Sequence, residues 1–69
     1  MNTNCLVQVD YLDGGRLIFP PLTSAPYYHP RYTREQAVHE AKFCAGLDDV
    51  DHVQIIEEYK HVKVITNIK

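Results

Sequence analysis

"CLVQVDYLDGGRLIF", residues 5–19, decides the fold of this chain. Apolar and polar residues alternate through its first half. Cys5, Val7, Val9 and Tyr11 fall on one side, and Leu6, Gln8 and Asp10 on the other. A period of two in a Val-rich run predicts a strand with one buried face. Asp13-Gly14-Gly15 then offers the positive φ angles of a tight turn. "RLIF" returns as a second strand and stops at Pro20-Pro21, which have no amide proton to give to a ladder. The stretch is a β-hairpin, and the rest of the chain must pack against it.

What packs against it is written in "TREQAVHEAKFCAGL", residues 33–47. Thr33 is a good helix N-cap, and Gln36 three residues on completes a capping box that satisfies orphan amides at both ends of the motif. Gly46 marks the stop. At about 100° per residue, Ala37, Val38, Ala41, Cys44 and Ala45 form one stripe. Its residues are small, so the helix can lie close on a sheet. Phe43 falls on the opposite side, with Gln36, His39, Glu40 and Leu47. "HVQIIEEY" resumes the β pattern with Val53 and Ile55 inward. "HVKVITNI" follows with Val62, Val64, Thr66 and Ile68 on one face, after a turn near Glu58 to His61. The order is β-β-α-β-β. It predicts an α+β fold: an antiparallel sheet of about four strands, the first and third in the middle, with one helix on one face. The whole of residues 1–69 reads as a single small domain.

Composition narrows the function classes. The 45% hydrophobic and 23% charged residues are those of a folded globular chain. Seven Lys and Arg against nine Asp and Glu give a net charge of −2, which speaks against a nucleic-acid binder that neutralises phosphates. No run approaches the ~18 apolar residues of a membrane span. "MNTNCLVQVDY" has neither the basic start nor the apolar core of a secretory leader. These features predict a protein of the cytoplasm that does not enter a membrane. Cys5 and Cys44 have no metal or redox spacing. A disulfide between them and two free buried thiols both fit, and a reducing cytosol favours the thiols. His29, His39, His52 and His61 are scattered singly, unlike the close pairs of a zinc site, so no metal or other cofactor is expected.

Between the second strand and the helix lies "PPLTSAPYYHPRY", residues 20–32, which reads as neither helix nor strand. It holds all four prolines and three of the five tyrosines. Loops of more than about 12 residues are uncommon in compact domains and are usually functional or disordered. Tyr27, Tyr28, His29, Arg31 and Tyr32 lack the orienting framework that nucleophilic or phosphoryl-transfer chemistry requires, so an enzyme is not expected. With Arg34, Lys60, Lys63, Lys69 and Tyr59 the same residues could stack bases and contact phosphates, but the acidic residues at 48, 49, 51, 57 and 58 cancel that field. Recognition of a protein fits better. Tyr and Arg are enriched at binding hot spots, and prolines reduce the entropy lost on docking. The expected partner-binding residues are Tyr27, Tyr28, His29, Arg31, Tyr32, His39 and Phe43. A rival reading has the loop fold over the helix and bury Phe43, thickening a thin core.

The succession of a hairpin closed by "LDGG", then "TREQAVHEA", then "LDDVDHVQII" resembles small accessory proteins encoded by bacteriophages. The Thr-x-x-acid/amide-Ala-x-x-x-Ala helix after a hairpin looks like that of the phage inhibitor of bacterial RNA polymerase. The likeness is one of layout over residues 5–57. The loop here is longer, and no residue role carries over. What the resemblance implies is a class: small, non-enzymatic, single-domain proteins that bind a larger host protein, and inhibit or modulate it, in the host cytoplasm. A small nucleic-acid-binding or regulatory domain and a self-associating structural protein are the alternatives. A homodimer through an edge strand or the open sheet face is also expected, with Leu6, Ile56 and Ile65 on that face.

Overall fold

In a computed structural model describing residues 3–21 and 30–69, the first strand, β1 (Thr3–Tyr11), is central to the sheet. Its alternation sends Cys5, Val7 and Val9 fully into the core. β2 (Arg16–Phe19) returns along one edge of β1, from Asp10↔Arg16 to Val7↔Phe19. In the turn between them only Gly14 adopts positive φ, at 92°. The Gly15 amide is held by the Asp13 carboxylate at 2.8 Å. The Asp13-Gly14-Gly15 signal therefore resolves into one left-handed glycine and one side-chain-to-backbone bond.

β4 (Val50–Glu58) pairs antiparallel with the other edge of β1, from Cys5↔Glu57 to Tyr11↔Val50, and β5 (Lys63–Asn67) pairs with β4. The order β2-β1-β4-β5 places the two long strands in the middle, as the sequence predicts. One element departs from that expectation. Tyr32-Thr33 is not loop but a two-residue strand, β3, that pairs with the start of β1 and makes the sheet five-stranded.

The helix α1 (Arg34–Ala45) follows directly. Thr33 Oγ1 accepts from the Gln36 amide at 3.1 Å, and Gln36 Oε1 accepts from the Thr33 amide at 3.0 Å, so the capping box is complete. Ala37, Ala41 and Cys44 are buried against Val7, Val9, Val53 and Ile55, and Val38 and Ala45 pack at the rim. Gly46 ends the helix in right-handed conformation, φ −81°, and not through a left-handed turn. Cys5 and Cys44 are both free thiols in the core. No helix of the described residues is long and apolar enough to cross a membrane.

Two faces result. Under the helix lies the core. The opposite face is open and arranged in rows across the sheet: Leu6–Ile56–Ile65, then Gln8–Gln54–Asn67. In the second row Gln8 donates to Gln54 at 3.3 Å and Gln54 to Asn67 at 2.9 Å. Beside this amide ladder, Leu6 and Ile56 of the apolar row are half-buried and Ile65 is 56% exposed. Helix and β5 also fail to overlap fully. Val64 points to the helix side yet remains 43% exposed.

Candidate functional site

β2 and β3 lie end to end along the same edge of β1. Phe19 faces Val7 and Tyr32 faces Cys5, so the chain leaves and rejoins this edge about 7 Å apart at the usual strand rise. Residues 20–31 are an excursion from what would otherwise be a single edge strand. Tyr27, Tyr28 and His29 lie outside the described residues. The two ends of the excursion are fixed: Phe19 and Tyr32 both pack against the core, and Arg31 Nε meets Glu58 Oε1 at 2.5 Å.

That ion pair changes what Arg31 can offer. Its side chain is only 25% exposed and its Nη1 donates to the Pro30 carbonyl at 2.9 Å. Arg31 therefore holds the loop's return to the sheet. Arg34 is similarly engaged. It pairs with Glu57, which is 9% exposed on the helix side and also accepts from the Tyr59 hydroxyl at 2.7 Å. Glu57 is not the solvated acid that its place in an acidic run suggests. It is a largely buried carboxylate that accepts from two donors, the Arg34 guanidinium and the Tyr59 hydroxyl.

Tyr32 and His39 do come together. With Glu35, Gln36 and Glu40 they line a groove of about 450 Å³ along one flank of the helix. Tyr32 is half-buried, and its hydroxyl is pushed above the ordinary phenol range by burial, then by the Glu40 charge. One helical turn beyond His39, on the same outer stripe, Phe43 is 66% exposed, and Leu47 follows at 36%. The rival reading lays Tyr27 or Tyr28 over Phe43, and both lie outside the described residues. The site that emerges is an aromatic knob on the helix crest beside a polar groove. The groove could not be read from the sequence, because it depends on β3 bringing Tyr32 against the helix flank.

Cys44 Sγ approaches Glu40 Oε1 at 3.9 Å. Burial, then the adjacent Glu40 charge, push its thiol upward, the opposite of what a thiolate nucleophile needs. Among the described residues no three His, Cys, Asp or Glu side chains gather as metal ligands do. No protein-family model, curated protein or solved structure matches the chain, so the site stands on its own geometry.

Proposed function

We propose that this protein is a non-enzymatic binding module that acts by occupying a surface of a larger protein, with Phe43 as its apolar anchor. The exposure of Phe43 on the crest of a well-capped helix carries the reading. A lone exposed apolar side chain needs no explanation. An exposed Phe beside an exposed Leu and a groove lined by an aromatic ring has the composition of an interface core with a polar rim. Burying such a ring contributes about 1.5–3 kcal/mol. Glu35 and Glu40 give the groove a negative lining that suits a Lys or Arg side chain of the partner, set beside the Tyr32 ring. The Pro- and Tyr-rich excursion, pinned at both ends, supplies the flanking contact. The similarity of layout to phage accessory proteins supports a host protein as the partner, and inhibition or modulation as the consequence.

The nucleic-acid alternative keeps Lys60, Lys63 and Lys69 but finds its arginines already engaged. Arg16, Arg31 and Arg34 are the chain's only arginines, and each is paired with a carboxylate, Asp10, Glu58 and Glu57 respectively. Capture from bacterial lysate, run beside binding to random DNA and RNA at two salt concentrations, separates the readings. The proposal expects a protein partner that the wild type retains and Phe43→Ala does not. Tight, salt-sensitive binding to nucleic acid, unaffected by Phe43→Ala, would overturn it.

A further inference from the structure

The outer edge of β5 carries a self-complementary pattern. Tyr59 N–H donates to the Val62 carbonyl and Ile68 N–H to the Val53 carbonyl, both at 2.8 Å. These bonds close the two ends of the β4–β5 ladder and set its parity. Val62, Val64, Thr66 and Ile68 turn their backbone polar groups toward β4. Lys63, Ile65 and Asn67 turn theirs outward. Among the described residues β5 pairs with β4 alone, and apolar side chains stand exposed along it: Val62, just before the strand, is 58% exposed, Val64 43% and Ile65 56%.

We infer that a second copy of this chain pairs antiparallel with β5 about a two-fold axis through Ile65, joining two sheets into one. In this register the outward amides and carbonyls of Ile65 meet those of Ile65 in the other copy, and those of Lys63 meet those of Asn67. The side chains agree with the backbone. On the open face Ile65 packs on its symmetry mate, so the Leu6–Ile56–Ile65 row runs unbroken across both copies. On the helix side Val64 lies opposite Thr66, covering the apolar surface that α1 leaves bare. Lys63, the residue that would guard a solitary edge, opposes an uncharged Asn. It sits about 13 Å along the strand from the other copy's Lys63, beyond the ~8 Å screening length of physiological salt. The other edge does not offer this. β2 is four residues long and runs directly into Pro20 and Pro21, which have no amide to donate. The two-fold contact uses each β5 edge once and closes. It is independent of the helix face proposed to bind a larger protein.

Sedimentation equilibrium from about 10 μM to 1 mM, the range in which a short strand pair would associate, tests this. The wild type is expected to shift with concentration from the mass of one chain toward that of two. Ile65→Pro removes the outward amide at the axis together with the side chain that meets its mate, and Ile65→Lys opposes two charges across the axis. Both are expected to stay at one chain throughout. Ile65→Cys is expected to link to itself on mild oxidation, because hydrogen-bonded antiparallel partners lie ~5.5 Å apart at Cα, within disulfide reach. Leu12→Cys, at a more exposed position in the hairpin turn, is not. A wild type that remains a single chain at the highest concentration, a dimer that persists in Ile65→Lys, or an Ile65→Cys protein that does not link would each overturn the inference.

Discussion

Arg31 and Glu58 meet at 2.5 Å, Nε to Oε1, and so tie the last residue of the Pro- and Tyr-rich excursion to the last residue of β4. Both side chains are about three-quarters buried. The contact joins a loop end to the far side of β1, with Phe19 and Tyr32 seated on the near edge. The pair fixes where the chain returns to the sheet.

Exchanging the two charges separates anchoring from direct contact. Arg31→Glu or Glu58→Arg alone is expected to cost up to about 1 kcal/mol of stability, the scale of a partly exposed pair, and to weaken partner binding. The double exchange, Arg31→Glu with Glu58→Arg, is expected to restore both. Thermal melts and binding isotherms of the three variants give the answer. A double variant that melts like the wild type but binds no better than Arg31→Glu would make Arg31 a contact residue.

The parts of the fold legible in the sequence are those with a one-sided pattern. Cys5, Val7 and Val9 alternate because β1 has one covered face, and Ala37, Ala41 and Cys44 repeat with the helix for the same reason. β3 left no such trace. Two residues have no period, and the pairing of Tyr32-Thr33 with Thr3 and Cys5 is a long-range contact invisible in local composition. Glu57 misled because it lies in an acidic run, while its burial follows from pairing opposite Cys5. The outward position of Phe43 was legible from the wheel. The groove beside it was not, since Tyr32 reaches it only through β3.

Alkaline pH should loosen this fold. The Cys5 and Cys44 thiols are raised by burial first and then by Glu57 and Glu40 respectively. The Tyr32 hydroxyl is raised by burial and Glu40, and that of Tyr59 by its hydrogen bond to Glu57. Each group holds its proton more tightly folded than unfolded. Their contribution is complete below the unfolded pKa values and is lost as pH rises through the folded ones. The melting temperature should therefore fall from about pH 8.5 upward, where thiols begin to ionise in the unfolded chain. Thiol reagents at neutral pH should label neither cysteine until denaturant is added. Rapid labelling of the native protein would contradict the core described here.

Two glycines should respond in opposite directions. At Gly14 a Cβ would meet nothing within 4 Å, but φ is +92°, so Gly14→Ala should cost about 1–2 kcal/mol through the backbone alone. At Gly46 φ is −81° and a Cβ would make an ordinary 3.5 Å contact with the Phe43 carbonyl oxygen. Gly46→Ala should be neutral or stabilise by up to about 1 kcal/mol through the unfolded chain. Denaturant titration resolves both, and equal losses would argue against the right-handed helix end.

The central claim is that Phe43 faces a partner and not the core, and one variant measured twice decides it. Phe43→Ala should shift stability by no more than about 0.5 kcal/mol, as an exposed substitution does, whereas loss of a buried Phe costs about 3–5 kcal/mol. For a domain of this size 1 kcal/mol moves the melting temperature by about 4–8 °C. The affinity of the same variant for the captured partner should fall about tenfold to a hundredfold, the equivalent of the ring's burial. A melting temperature within a few degrees of the wild type together with that loss of affinity is the result this account predicts. A variant that melts far below the wild type, or one equally stable that binds the partner unchanged, would contradict it.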